Sequence, residues 1–346
     1  MKAHEVVRAG ARADQLAGMV LTRDVRGANG QRAFAKGQMV RAEQVPDLMA
    51  LDWNMLHVIE PEPGEIGEDE AGRRIAVAVS GAGTEVRAVS GGHWPLAATR
   101  RGLLRVNVER LCRVNSIEGA CAYTLFDGQI VEPGEIVARA KVTPFVIGEA
   151  RVEMVERIAR DAEGVIRVEA FRPMVVAAVV QETLGEQAMA KFRDAMREKI
   201  AWFGSRLLEP AFVPPAGAAV ADAVRQVVAQ GANVIVMAGT KAMDPLDPAF
   251  VALDALGVAL ERYGAPAHPG SLSWIARLGE AMVIGMPSCG LFSQATVFDL
   301  ILPRVLAGER VDREAIIALG HGGLITKDLA FRFPRYREAA RRGEID

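Results

Sequence analysis

The chain is 346 residues long, more than one hydrophobic core usually organises, so two or three domains are expected. Forty-one Lys and Arg nearly balance forty-three Asp and Glu, leaving no overall field to hold nucleic acid or an anionic membrane. Half the residues are hydrophobic but only 5% aromatic, which suits closely packed helices and sheets rather than aromatic stacking platforms.

Three cysteines, Cys112, Cys121 and Cys289, form no CxxC pair, and the opening MKAHEVVRAG lacks an apolar signal segment. A reducing cytoplasm is the expected compartment. The longest apolar stretches, such as 174–180, are too short for a bilayer core of about 30 Å, so no membrane span is expected.

Residues 20–146 are short β-branched runs separated by Gly, Pro and Asp, with the turns Phe126-Asp127-Gly128 and Glu132-Pro133-Gly134 between them. This predicts a β-rich N-terminal region over 1–150, as one or two small modules. One helical insertion is expected at 68–79, where Asp69 and Glu70 favour a helix N-terminus.

After Arg172-Pro173 the pattern changes to strands alternating with long helices. The continuous apolar run 174–180 reads as a strand buried on both faces. Across 186–203, Met189, Phe192, Met196, Ile200 and Phe203 recur at spacings of three and four, the stripe of a helix laid on a sheet. Further strands are expected at 206–213 and 234–238. A helix is expected at 218–230, stopped by Gly231, and another at 249–263. Residues 272–277 and 281–285 pair around Leu278-Gly279-Glu280, and a helix follows near 293–300.

The fold class is therefore α/β. A three-layer αβα, doubly wound, mostly parallel sheet over 173–306 follows the β-rich region, with a C-terminal extension over 307–346 outside the main sheet. In such sheets ligands sit beyond the carboxyl ends of the strands. Two loops fall there, 239–248 and 286–290.

In the first loop Gly239 permits close backbone approach, Thr240 adds a hydroxyl and Lys241 a compact positive charge. Asp244 and Asp247 each precede a proline and have the chemistry to accept from a ligand's N–H groups or to bind Mg²⁺, while Asp247 equally fits as the cap of the helix begun by Pro248. In the second loop Ser288 and the N–H groups near Gly290 stand at an expected helix start that favours an anion, or Ser288 is a plain N-cap. Cys289 is a small thiol that either touches a ligand or packs inertly. Neither a GxSxG elbow nor GxGxxG appears, and His321 has no paired metal-ligand spacing.

The order of these features resembles the molybdenum-cofactor-biosynthesis domain shared by molybdopterin molybdenumtransferases and adenylyltransferases. Residues 233–244 stand where that family has a GGxSxGxxD-type loop, with Gly239 and Asp244 matching and Lys241 and Met243 replacing its serine and second glycine. Pro269-Gly270-Ser271 after His268 resembles its PGKP turn, and Met286-Pro287-Ser288-Cys289-Gly290 its LPGNP turn. Gly18-Met19-Val20-Leu21, Ala35-Lys36-Gly37 and Gly102-Leu103-Leu104 resemble the companion region of molybdopterin-binding proteins.

The resemblance implies a molybdopterin ligand, with Gly239, Thr240, Lys241, Pro269, Gly270, Ser271, Pro287, Ser288, Cys289 and Gly290 in contact with it. It implies Asp244 and Asp247 as catalytic residues, Asp244 as a Mg²⁺ ligand, and Glu182 as an acidic turn residue. It also implies self-association and a role in inserting molybdate. The altered glycine and lysine positions leave open a carrier that delivers cofactor to a molybdoenzyme, and the same fold leaves open a nucleotide-derived ligand.

Overall fold

A computed structural model describes residues 1–88, 93–160, 164–287, 295–334 and 336. The chain is mixed α/β, with several small antiparallel sheets and one large mixed sheet. It divides into two compact units, one of 1–127 with 131–169 and one of 128–130 with the chain from Ala170 onward.

Beside a small cluster of Val20, Ile59 and Val146, the described residues of the first unit form two main cores. Leu16, Leu21, Phe34, Val40, Leu48, Trp53 and Val58 make one, under the strands Lys2–Val7, Val20–Leu21 and Met55–Glu60. The other lies beneath an antiparallel sheet in the order Ala120–Thr124, Ile136–Val142, His93–Ala98, Thr84–Val86. The expected helix is present as Glu68–Val79 and buries Ala71, Ile75, Ala76 and Val79 at spacings of three and four. Two further helices are present: Val108–Asn115 stands where the sequence reads as β-rich, and Glu149–Ala159 lies at and beyond the end of that region. The first begins at Asn107, whose side chain accepts from Arg110 N–H, a local cap that outweighs the β-branched text around it.

The second unit is built on a seven-stranded sheet. Val175–Val180 pairs in parallel with Val234–Thr240, which pairs in parallel with Ala281–Pro287. Arg206–Leu207 and Ala211–Phe212 add in parallel on the other side of Val175–Val180. These are the two halves of the strand expected at 206–213, interrupted at Pro210, which has no N–H for a ladder. At the opposite edge Trp274–Leu278 and Leu260–Tyr263 run antiparallel to their neighbours, so the sheet expected as mostly parallel is mixed.

Leu260–Tyr263 replaces the far half of the helix expected over 249–263. That helix stops at Ala255, and Gly257 turns the chain with φ +66°, a left-handed conformation that ends a helix without strain.

Side chains alternate along the buried strands as a pleat requires. Val176, Ala178 and Val180 join Val234, Val236 and Ala238 in a core covered by the helices Glu186–Trp202 and Val297–Leu306. Ala177, Val179, Ile235 and Met237 face the helices Gly217–Ala229 and Pro248–Ala255 on the other side. Val311, Ile316 and Tyr336 of the C-terminal segment belong to the first of these cores, so that segment packs into the unit. None of the helices among the described residues is long and apolar enough to cross a membrane.

Candidate functional site

The carboxyl ends of Val175–Val180 and Val234–Thr240 lie side by side, with Val180 opposite Ala238. Against the next strand the register slips, Ala238 standing opposite Met286 and Thr240 opposite Pro287, so Gly239 is the extra residue of a bulge. Its φ of +79° is one that L side chains rarely adopt. A Cβ there would also lie 2.8 Å from Glu182 Cβ and 3.2 Å from Glu182 Oε2. Glycine at 239 is thus required both by conformation and by the close approach of residue 182.

The loop that follows is fastened by Asp247, a carboxylate only 1% exposed. Its Oδ1 accepts from Ala249 N–H at 2.9 Å and from the Gln181 amide at 2.8 Å, while Oδ2 accepts from Lys241 N–H at 2.7 Å. It caps the helix whose first residue is Pro248, which needs no partner for its missing N–H. Asp247 therefore positions the loop, with both oxygens engaged by hydrogen bonds of the fold.

Asp244 is exposed, and its Oδ1 accepts from Leu246 N–H at 2.9 Å in a local turn. Among the described residues no group of three or more His, Cys, Asp or Glu could hold a metal ion. A Mg²⁺ site made by Asp244 and Asp247 together does not fit this geometry.

Three polar atoms at these strand ends are buried without a hydrogen-bond partner among the described residues: Gln181 Oε1, Glu182 Oε2 and Thr240 Oγ1. Gln181 is 4% exposed and Thr240 2%. The Gln181 amide has its orientation fixed, because only its nitrogen can donate to the Asp247 carboxylate, so Oε1 is left as an acceptor. The same nitrogen lies 3.5 Å from Gly239 O. Gln181 and Glu182 thus flank Gly239 from the neighbouring strand, with Thr240 next to it. Unmade hydrogen bonds at buried groups each cost about 1–3 kcal/mol, and three so close together need a reason.

Lys241 is exposed, and its ammonium makes no ion pair or hydrogen bond among the described residues. Met243 and Leu246 of the same loop are 79% and 77% exposed. The loop is braced from outside by the Tyr263 hydroxyl, which donates to Ala242 O.

The Pro269-Gly270-Ser271 turn sits elsewhere in the unit, against the start of the helix Val297–Leu306. Pro269 O accepts from Val297 N–H at 2.9 Å, and a Cβ on Gly270 would lie 3.0 Å from Val297 Cβ. The His268-Pro269 peptide is cis, and His268 exchanges backbone hydrogen bonds with Gly323 and Ile325. Ser271 is exposed and its carbonyl accepts from Ala265 N–H.

That helix begins at Val297, later than the start expected near 293, because Thr296 and Asp299 form a capping box. Thr296 Oγ1 accepts from Phe298 N–H at 3.2 Å and Asp299 Oδ2 from Thr296 N–H at 2.9 Å. Asp299 is 2% exposed and its other oxygen accepts from Lys199 Nζ. The first N–H groups of this helix are thus spent, and a carboxylate already occupies its positive end. The N–H groups of Val297, Phe298 and Asp299 are therefore engaged, while the anion site expected at Ser288 and near Gly290 falls outside the described residues. Pro287 ends its strand opposite Thr240, while Ser288, Cys289 and Gly290 lie outside the described residues.

The structure therefore gathers Gly239, Thr240, Lys241 and Asp247 with Gln181, Glu182 and Pro287, and seats Pro269 and Gly270 on a helix start. Gln181 is the residue that the sequence reading misses. Its signal is a polar amide directly after six apolar residues of a buried strand.

No protein-family model and no curated protein matches the chain. Among solved structures it is similar to the molybdopterin biosynthesis MoeA protein from Pyrococcus horikosii, at 11% identity over 70% of this chain and 79% of that one, with a TM-score of 0.30. A likeness of that degree carries no argument about this chain.

Proposed function

We propose that the second unit binds a pterin of the molybdopterin type at the carboxyl ends of Val175–Val180 and Val234–Thr240, and so serves molybdenum-cofactor metabolism. The observation that carries the reading is the coincidence of three unpartnered buried polar atoms, on Gln181, Glu182 and Thr240, with the loop whose sequence resembles the family's pterin-binding signature. A pterin supplies ring and amino N–H donors for such acceptors, and the exposed Lys241 ammonium is available for its phosphate tail.

Of the two readings, the carrier that holds and delivers the cofactor is favoured over the insertion of molybdate. Asp247, one of the two carboxylates expected to work on metal or oxyanion, is buried and holds Gln181, Lys241 and Ala249 through three hydrogen bonds, which favours a scaffolding role for it. Delivery to a molybdoenzyme and self-association belong to the same proposal.

The test is an anaerobic titration of the full chain with molybdopterin, with and without Mg²⁺ and molybdate, followed by analysis of the recovered pterin. Saturable binding with the pterin recovered unchanged supports a carrier. Recovery of molybdenum-loaded pterin turns the reading to a transferase, and absence of binding removes the pterin assignment.

A further inference from the structure

We infer that Gln181, Glu182 and Thr240 form a receptor for the amino-pyrimidinone edge that pterins and guanine share, rather than for the ligand's phosphate. The inference follows from what each unpartnered atom can do. Gln181 Oε1 only accepts, since its amide nitrogen is committed to Asp247. Glu182 Oε2 is a carboxylate oxygen and also accepts. Thr240 Oγ1 can donate its one proton.

Two acceptors and one donor, gathered around Gly239, ask for two donors and one acceptor in the ligand. A 2-amino-4-oxopyrimidine ring presents that set on one side: the amino group, the ring N3–H and the O4 carbonyl. A phosphate or carboxylate offers acceptors only and would meet an amide oxygen and a negative charge. A 2,4-dioxo ring turns the amino donor into a carbonyl and opposes one acceptor with another. An adenine edge has one donor and one acceptor and leaves a buried group unmade. Gly239 serves the same end, because any side chain there would press on Glu182.

This rests on the pterin reading only for the choice between the two carriers of the edge. The experiment titrates the full chain with pterin, with lumazine (its 2,4-dioxo counterpart), with guanosine and with molybdopterin, and repeats the series with Glu182→Gln. Pterin is expected to bind at least about tenfold more tightly than lumazine, since a site built for a donor rejects the analogue lacking it. Glu182→Gln is expected to weaken pterin by about tenfold through loss of a charge-assisted bond and to narrow the gap to lumazine. Its thermal unfolding serves as the fold control, and should the variant misfold, the wild-type preference for pterin over lumazine still decides.

Guanosine bound in preference to lumazine, without molybdopterin, upholds the edge and overturns the pterin reading. Molybdopterin bound while pterin and lumazine are equal, or while a folded Glu182→Gln changes neither, overturns the edge and leaves the pterin reading standing. Failure of all four ligands overturns both.

Discussion

Replacing Thr240 by valine separates a binding group from a structural one. The side chain is 2% exposed and its hydroxyl has no hydrogen-bond partner among the described residues. Valine keeps the shape and the β-branch suited to a strand end, so the backbone is not disturbed. Leaving a buried hydroxyl unmade costs about 1–3 kcal/mol, of which an isosteric methyl should recover about 1 kcal/mol. In a unit of this size that is a rise in Tm of roughly 2–4 °C, read by calorimetry on the ligand-free chain. Pterin affinity should move the other way, falling about tenfold with the lost hydrogen bond. A variant destabilised by more than about 1 kcal/mol would mean that the hydroxyl is already satisfied in the fold, and the argument from unpartnered groups would then fail.

Three other substitutions test the scaffold around that site. Asp247→Ala removes a helix cap and leaves the Gln181 amide and Lys241 N–H unmade, so a loss of about 3–4 kcal/mol is expected in denaturant unfolding of the second unit. Gly239→Ala forces an alanine to φ near +79° and toward Glu182, at a cost of roughly 2–3 kcal/mol by the same assay. In the first unit Arg74 joins Glu149 and Glu156 at 2.7 and 2.8 Å, tying Glu68–Val79 to Glu149–Ala159. The Arg74 hydrogen bond holds the Glu156 carboxyl below its ordinary value of 4.5. A depressed carboxyl stabilises the fold above its unfolded value and loses that contribution as pH falls through the folded one. Arg74→Ala should therefore be less stable than the wild type at neutral pH, with the gap closing in urea unfolding below about pH 4.5.

Much of the second unit was legible because its elements are either fully buried or plainly two-faced. The apolar run before Gln181 is the strand Val175–Val180, and the stripe from Met189 to Phe203 lies on the helix Glu186–Trp202 and its cap. Gly231, read as a stop, ends its helix with φ +85°. What escaped depends on contacts that periodicity does not carry. Leu260–Tyr263 is a strand because Trp274–Leu278 lies beside it, although its residues continue the text of the preceding helix. The helix Val108–Asn115 is short and charged, so its local text did not separate it from the strands around it. At the site, Gly239 and the cap at Asp247 could be read from residue type and the following proline. Gln181 could not, because its meaning comes from Asp247, sixty-six residues later, and from a carbonyl with no partner.

The most direct test of the pterin assignment is an equilibrium titration of the full chain with molybdopterin, run beside Thr240→Val and Asp244→Ala. Saturation near one pterin per chain is expected, weakened about tenfold by Thr240→Val and little by Asp244→Ala, whose carboxylate is exposed and turned to its own loop. Absence of saturable binding, or binding indifferent to Thr240 and lost with Asp244, would contradict the account.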